Sequence, residues 1–488
     1  VAAVPTAVCP YRRLSKSIEV SGCNRCVAPV FLGCFSDKLQ AVWYNEREYG
    51  KGGIPGLSSG ETVKVGMLGM GTVGGGVAAI LQRNGSLLAR KTGIKLELQR
   101  VLVRDPSRRR AVDLPPQIYT TDPEMVVKDP SIDVVVELMG GIEPARTLIS
   151  AALKENKFVV TANKDLMARH GQELLQLAYC YGEDIFFEAS VGGGIPLIRP
   201  LKHCLVANRI ERMVGIINGT TNYILTRMSL DDMDFQEALS KAQELGFAEA
   251  DPSNDLEGRD AAYKLTILAG LAFDCSLNPD DLFTQGISGV TRADIHYARE
   301  LGYTIKLLAV AEQMPTGLAL GVHPALVPLT HPLATVYDEF NAIFIKGDLI
   351  GETMFYGRGA GALPTASAVV ADIIDAAYSL QSGVKDRPSP GKSNNRKITL
   401  LPLSALSSRF YVRLQARDLP GVFGAVATAF GEEEVSLDMI IQKRKTNGMA
   451  EIVLVTHDVN EERFYRSLKR VARLPAIEPE PGVFRVLG

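Results

Sequence analysis

The stretch VKVGMLGMGTVGGGVAAIL (Val63–Leu81) leaves few folds open to the chain that carries it. A short apolar run enters a glycine turn and leaves it as small and apolar residues at helical spacing, and Gly69, Gly71 and Gly74 form the pattern G-x-G-x-x-G. In such a turn the first glycine permits the tight bend, the second lets backbone approach a pyrophosphate, and the third packs helix on strand. The helix start then offers its unpaired N–H groups to the phosphates. Gly69, Met70, Gly71, Thr72, Val73 and Gly74 are therefore candidate cofactor-binding residues. The pattern alone is weak, because a purely structural turn gives the same letters. Its context favours a dinucleotide site: a second strand, KLELQRVLV, ends at Val103, about where a βαβ unit places it.

After that second strand an acid would hold the ribose hydroxyls of NAD. This chain has Arg104 there, followed by Arg108, Arg109 and Arg110, which points to NADP(H) with NAD(H) as the alternative; Asp105 and a simple solvated basic turn count against it. The segments IDVVVELMGG, EPARTLISAALKENK and FVVTANK read as buried strand, amphipathic helix and buried strand, so the parallel sheet continues. Lys164 follows FVVTAN at a strand's carboxyl end, where open α/β sheets bind ligands, although a lysine there can also be merely solvated.

Further on, DIFFEASVGGGIPLI runs a strand into Gly192–Gly194. Three glycines free carbonyl and N–H groups to face an ion or ligand, and Glu188 can supply a charged oxygen; an ordinary loop is the plainer reading of this composition. GIINGTTNYIL places Asn218, Thr220, Thr221 and Asn222 in a polar turn fit to bind a polar substrate or to cap a helix.

The segment EADPSNDLEGRDAAYKLTILAGLAF (Glu249–Phe273) puts charge in front of an apolar run. Read as a helix starting near Asp255, it aligns Asp260, Lys264, Ile267, Leu268 and Leu271 on one stripe, with Arg259 and Thr266 projecting away. An Asp and a Lys four residues apart usually form a solvated pair. On an inward stripe they are either a satisfied structural bridge or a site tuned for proton transfer, and spacing does not choose between these.

Size and charge narrow the function class. The 488 residues suit about three domains, and 53 basic against 55 acidic residues leave no electrostatic footprint for nucleic acid or an anionic membrane. No uninterrupted apolar stretch approaches the length of a membrane span. Residues 1–36 carry Arg12, Arg13, Lys16 and Arg25 against one acid, Glu19, the look of an organelle transit segment; plastid stroma is the expected compartment if it is one, the cytoplasm otherwise. Cys23 and Cys26 in CNRC could form half of a zinc site with Cys9 and Cys34, but no second CxxC or His pair follows, and a cysteine-bearing leader is the simpler reading.

Taken together in order, GMGTVGGGV, ELMGG, TANKDLMARHG, EASVGGGIPLI, NGTTNYIL, GFAEADPSNDLEGRDAAYKL and GRGAGALPTASAVV resemble homoserine dehydrogenase over most of residues 61–380. The resemblance implies exchange of hydride between a nicotinamide cofactor and the pair L-aspartate 4-semialdehyde and L-homoserine, a step toward threonine, methionine and isoleucine. It makes Lys264 the proton donor and Lys164 a second lysine at substrate and cofactor. Glu249, Asp255 and Asp260 become substrate-pocket residues, and Gly361 a late glycine that returns to the cofactor. Glu188 with backbone oxygens of Val191, Gly193 and Ile195 matches a monovalent cation site, sodium by the same resemblance. No aspartate-kinase region precedes the nucleotide segment, so the likeness is to the monofunctional form.

Residues 409–488 read strand, helix, strand, strand, helix, strand, the order of a ferredoxin-like unit, and RDLPGVFGAV with GMAEIVLVTH resembles an ACT domain. Such modules often bind an amino acid between paired copies, so an amino-acid effector is an expectation beside a role in assembly. The expected α/β architecture is a leader and linker (1–60), a Rossmann-type nucleotide domain (61–190, completed by about 355–381), an α+β substrate and dimerisation domain (191–354), a linker (382–408) and the ACT domain (409–488), assembled as a homodimer or homotetramer. Two rivals remain at this level. An aspartate dehydrogenase on a similar body is opposed by the GFAEADPSNDLEGRDAAYKL block, and a silent nucleotide and amino-acid sensor is opposed by the intact Lys164 and Lys264.

Overall fold

A computed structural model describes residues 62–383, 398–446, 448–478 and 481–488. The basic leader, its four cysteines and most of the polar stretch 382–397 lie outside the described residues.

The nucleotide domain is a parallel sheet of β1 (Thr62–Leu68), β2 (Lys95–Leu102), β3 (Tyr119–Thr120), β4 (Val134–Glu137), β5 (Phe158–Thr161) and β6 (Ile185–Phe186), in the order 3-2-1-4-5-6. Its helices are α1 (Thr72–Thr92), α2 (Glu124–Val127), α3 (Ala145–Lys154) and α4 (Lys164–Tyr181). The valines of β4 and β5 are buried on both faces, as continuous apolar strands between two helical layers must be. The order reverses between β1 and β4, and the crevice at their carboxyl ends is where such sheets take a nucleotide.

The second domain adds β7 (Ile210–Ile216), α5 (Gly219–Leu230), α6 (Phe235–Glu244), α7 (Ser253–Leu256), α8 (Arg259–Ala272), β8 (Phe283–Thr284), α9 (Arg292–Glu300), β9 (Tyr303–Met314), β10 (Gly317–Pro328), β11 (Phe340–Gly347) and β12 (Gly351–Arg358). The chain then returns to the first domain as α10 (Ala362–Ser382), whose Val369, Ile373 and Ala377 pack with Val65, Val77 and Val136. A Cβ on Gly76 of α1 would stand 2.6 Å from the Ala362 carbonyl oxygen, so only glycine lets the two helices approach this closely. By length and composition α10 is also apolar enough to cross a membrane, although polar residues interrupt its apolar run; here its apolar side is core of the nucleotide domain.

The C-terminal unit contains β13 (Leu400–Leu401), β14 (Ser407–Arg417), α11 (Val422–Gly431), β15 (Leu437–Thr446), β16 (Met449–Thr456), β17 (Val459–Asn460), α12 (Glu461–Val471) and β18 (Gly482–Val486). It is not an appended bead. β18 pairs parallel with β10 at Ala325 and Leu326, so the second and third domains share one sheet of order β12-β11-β7-β9-β10-β18-β14-β16-β15. The same edge of β10 is covered at Leu318–Ala319 by β13 and at Gly321–Val322 by β8. Residues read as the end of a linker thus close a sheet edge that would otherwise expose unpaired amides. Asp294 of α9, fully buried, is gripped by Arg413 of β14 (Nε to Oδ1 2.6 Å, Nη2 to Oδ2 3.2 Å), which locks the face of the C-terminal sheet to the substrate domain.

Candidate active site

The glycine turn behaves as its spacing requires. Gly69 has φ +100°, and a Cβ on Gly74 would lie 2.5 Å from the Gly69 carbonyl oxygen. Gly71, the N-cap of α1, has no side-chain cap and open space around it, so the first amides of the helix are left for a ligand. Met70 and Val73 pack partly on the domain core, while Thr72 is exposed. Beyond β2, Asp105 accepts bonds from the backbone (2.9 Å) and hydroxyl (2.6 Å) of Ser107, which lower its pKa, so it closes its own turn instead of reaching for a ribose. Arg110 folds back onto the carbonyls of Asp105 and Arg108 and over the Tyr119 ring; Arg104 is exposed.

The chemistry-bearing side chains meet where α4, α5, α7 and α8 converge. The expected single helix from Asp255 is two pieces, because Gly258 adopts φ +80° between α7 and α8. A Cβ there would press on Val322 and Thr284 at 3.1 and 3.2 Å. Asp255 consequently lies in the short first turn and Asp260 in the first turn of α8. Thr266, expected to project away, is buried and donates to the Ala262 carbonyl: α8 is a central helix enclosed on most sides.

Asp260 is the hub. Its Oδ1 receives Lys164 Nζ from α4 at 2.8 Å, and its Oδ2 receives Lys264 Nζ at 2.7 Å and Asn218 Nδ2 at 2.9 Å. Burial opposes ionisation of Asp260, yet Lys264 and Lys164 outweigh it and hold the carboxyl well below the usual carboxylate range. Burial likewise opposes charge on Lys164, and Asp260 more than offsets that, leaving its pKa raised. Asn218 is the helix cap that its position allowed, and it also joins two carboxylates. Its oxygen caps α5 by accepting from Thr221 N at 2.9 Å, while its amide nitrogen bridges Asp260 and Asp255 (2.7 Å). The Thr220 hydroxyl, with one proton to donate, stands between the other Asp255 oxygen at 2.9 Å and the Phe247 carbonyl at 2.7 Å. Glu249, two residues beyond Phe247, is exposed beside this cluster's supports.

Lys264 Nζ also donates to the Ile217 carbonyl at 3.0 Å. An ammonium has three N–H donors, so with these two bonds one remains for a reacting oxygen. Two further acids of the Glu249–Phe273 segment have structural uses: Asp251 binds Ser253, and Glu257 accepts from Ser288 at 2.7 Å.

Sequence reasoning missed the support beneath Lys164. Buried Glu137, at the end of β4, accepts from Met139 N (2.8 Å) and from Thr161 Oγ1 (2.7 Å), and Thr161 receives Asn163 N at 3.0 Å. Asn163 caps α4 and donates to the Gly141 carbonyl at 2.6 Å, which sets the direction in which Lys164 leaves the strand end. A carboxylate inside VVVE, where only apolar residues pay no desolvation cost, was the available signal.

The glycine loop departs from its expectation at Glu188. That buried carboxylate accepts backbone N–H groups of Leu197, Ile198 (2.8 Å) and Arg199 (2.7 Å), so it stabilises the following turn and is not a free charged ligand oxygen. What the loop can offer an ion is main-chain carbonyls at Val191, Gly193 and Ile195, and among the described residues no group of three or more His, Cys, Asp or Glu is arranged to hold a metal. Gly193, φ +54°, lies against Gly359, two residues before Gly361, where a Cβ would be 2.6 Å from the Gly359 oxygen. Gly361, φ +123°, starts α10 against α1, and so stands at the nucleotide side of the site.

Comparison with known proteins bears on the chain as a whole. A family model described as homoserine dehydrogenase matches residues 196–374, a homoserine dehydrogenase NAD-binding domain model matches 69–188, and an ACT domain model matches 410–476. The chain is 46% identical over 437 residues to homoserine dehydrogenase of Synechocystis, covering 87% of this chain and 100% of that one. The crystal structure of a homoserine dehydrogenase from Thiobacillus denitrificans superposes with a TM-score of 0.81 at 40% identity, over 88% of this chain and 99% of that one. A hyperthermophilic archaeal homoserine dehydrogenase in complex with NADPH is similar at 28% identity and a TM-score of 0.56, over 65% of this chain and 98% of that one.

Proposed function

Because the chain belongs to the homoserine dehydrogenase family, we propose that it interconverts L-aspartate 4-semialdehyde and L-homoserine with Lys264 as the proton donor. The observation that carries the role is the single carboxylate of Asp260 shared by Lys164 and Lys264 from two domains, with one Lys264 N–H left over. Reducing an aldehyde builds negative charge on its oxygen, and an ammonium within hydrogen-bond reach both stabilises that charge and supplies the proton. The nicotinamide cofactor supplies the hydride when bound. The residues of this chain bind, orient and protonate: Gly69–Gly74 and the start of α1 cradle the phosphates, Lys164 lies between cofactor and substrate, and Glu249 takes the substrate ammonium while Asp255 and Asp260 line its pocket.

NADP(H) is the preferred cofactor in this reading. Exposed Arg104 supports it, as does Asp105, whose carboxylate is already engaged by Ser107. A monovalent cation, sodium by family likeness, would be held by main-chain oxygens of Val191, Gly193 and Ile195 next to Glu188, whose carboxylate is engaged by amides. The C-terminal unit serves assembly and takes an amino-acid effector. A homodimer or homotetramer is supported by the exposed edge strand β12, where Met354 and Tyr356 stand 39% and 52% exposed. The basic, acid-poor leader supports delivery to a plastid.

The deciding experiment follows oxidation of NADPH and NADH with aspartate semialdehyde in wild type and Lys264→Ala. Turnover by the wild type and a loss of about 10²–10⁴ in kcat in the variant are expected. Absence of turnover would sink the enzyme reading, and full activity of the variant would sink the proton-donor role.

A further inference from the structure

We infer that Arg169 is a positioning residue, an interdomain latch that holds the helix carrying Lys164 against the helix carrying Lys264. This rests on the catalytic reading above. Arg169 lies on α4 five residues after Lys164, and its guanidinium forks onto Asp280 with Nη1–Oδ2 at 2.7 Å and Nη2–Oδ1 at 2.8 Å. The same Nη2 donates to the hydroxyl of Tyr263 at 2.9 Å, and the guanidinium carbon stands 5.3 Å from that ring's centre. Tyr263 is the residue next to Lys264 on α8, and Asp280 belongs to the turn Pro279–Asp281 of the substrate domain, whose cap Asn278 accepts Asp280 N at 3.1 Å.

A planar fork that meets a carboxylate with two bonds and a phenol with a third fixes direction as well as distance, which a lysine does not do. The location gives this contact leverage. On the active-site side of Arg169 the two helices are joined by the Lys164–Asp260 pair, an interaction that must admit substrate and cofactor. Toward the other end Gly171, Leu175 and Ala178 of α4 and Ile267, Gly270 and Leu271 of α8 line a cavity of about 510 Å³, at whose wall Arg169 also stands. Arg169 ties α4 to α8 and to the Pro279–Asp281 turn where the cavity leaves packing incomplete, so it can keep α4 in place while Lys164 exchanges Asp260 for an incoming ligand. Geometry at this scale matters to rate, since a misplacement of about 1 Å can cost on the order of a hundredfold.

The test uses the full-length protein after wild-type turnover has been established, so failure of the catalytic reading is seen first and separately. Arg169→Met is expected to lower kcat by about tenfold with NADPH affinity, from fluorescence titration, within about twofold of wild type. Arg169→Lys should recover only part of the loss, and Asp280→Asn should reproduce it, with the double variant no worse than either single one. A readout independent of turnover is acetylation of Lys164 followed by mass spectrometry, expected to be severalfold faster in Arg169→Met because the amine spends less time on Asp260. Tyr263→Phe, which removes one hydroxyl and keeps the ring, repeats the measurement should the methionine variant fold poorly; a smaller loss in kcat is expected. Unchanged kcat and unchanged Lys164 acetylation in Arg169→Met and Asp280→Asn overturn the latch, as does a loss of kcat fully accounted for by a lower folded fraction.

Discussion

Lys164 and Asp260 join the nucleotide domain to the substrate domain through a contact of 2.8 Å, and the same carboxylate holds Lys264 at 2.7 Å. The acid is almost wholly buried, the lysines are partly open, and this one carboxylate is shared by two cations, with Asp255 held beside it through Asn218. That is an arrangement suited to an arriving carbonyl oxygen.

Asp260→Asn tests the hub and its pH dependence. Lys264 and Lys164 hold the native carboxyl below its ordinary value of 3.8, so the folded chain binds fewer protons than the unfolded chain in acid. Its stabilisation is therefore fully present above the unfolded pKa and is lost as pH falls through and below about 4. Urea unfolding should find the variant less stable than wild type by up to about 3 kcal/mol near neutrality, with the gap narrowing in acid. A gap that stays constant from neutral to acid pH contradicts the assignment.

Arg104→Asp should reverse the cofactor choice. Loss of a cation from a 2′-phosphate site and repulsion by the new acid should lower kcat/KM with NADPH by about tenfold or more relative to NADH. Steady-state kinetics with both cofactors check it, and an unchanged ratio places the 2′-phosphate elsewhere.

Asp294→Ala separates packing from regulation. It leaves half-buried Arg413 with only the Thr291 hydroxyl and the more distant Glu451 as partners, and should cost about 2–3 kcal/mol. Because β18 and β10 share a sheet, calorimetry should show the C-terminal unit and substrate domain destabilised together. A separate low-temperature transition confined to the C-terminal unit refutes the shared sheet.

Lys306, buried on β9, donates to Asn222 Oδ1 at 3.0 Å and to the Val336 carbonyl at 2.6 Å; burial brings its pKa down to about 7. Between that value and the unfolded 10.5 the unfolded chain binds the extra proton, so this residue makes stability rise with pH across that window; its full penalty applies below it. Lys306→Met should flatten the slope, measured as the urea midpoint at several pH values. An equal slope in both proteins shows that other groups set it.

Much of this protein was legible in one dimension. G-x-G-x-x-G between strand and helix, the buried valine runs and the strand-end lysine follow from local sterics and from the two periodicities of backbone structure, which a sequence displays directly. The inward placement of Asp260 and Lys264 was legible for the same reason, since one helical turn separates them.

Tertiary structure decided the rest, because the deciding contacts join residues far apart in the chain. Lys164 and Asp260 are 96 positions apart, and nothing in either local pattern names the other. Gly258 breaks the expected helix because β10 and β8 crowd it, Glu188 turns its charge to amides that a sequence leaves unassigned, and β13 and β18 complete the edge of β10. Residue type and spacing determined which groups this protein has; chain closure determined which of them share a carboxylate.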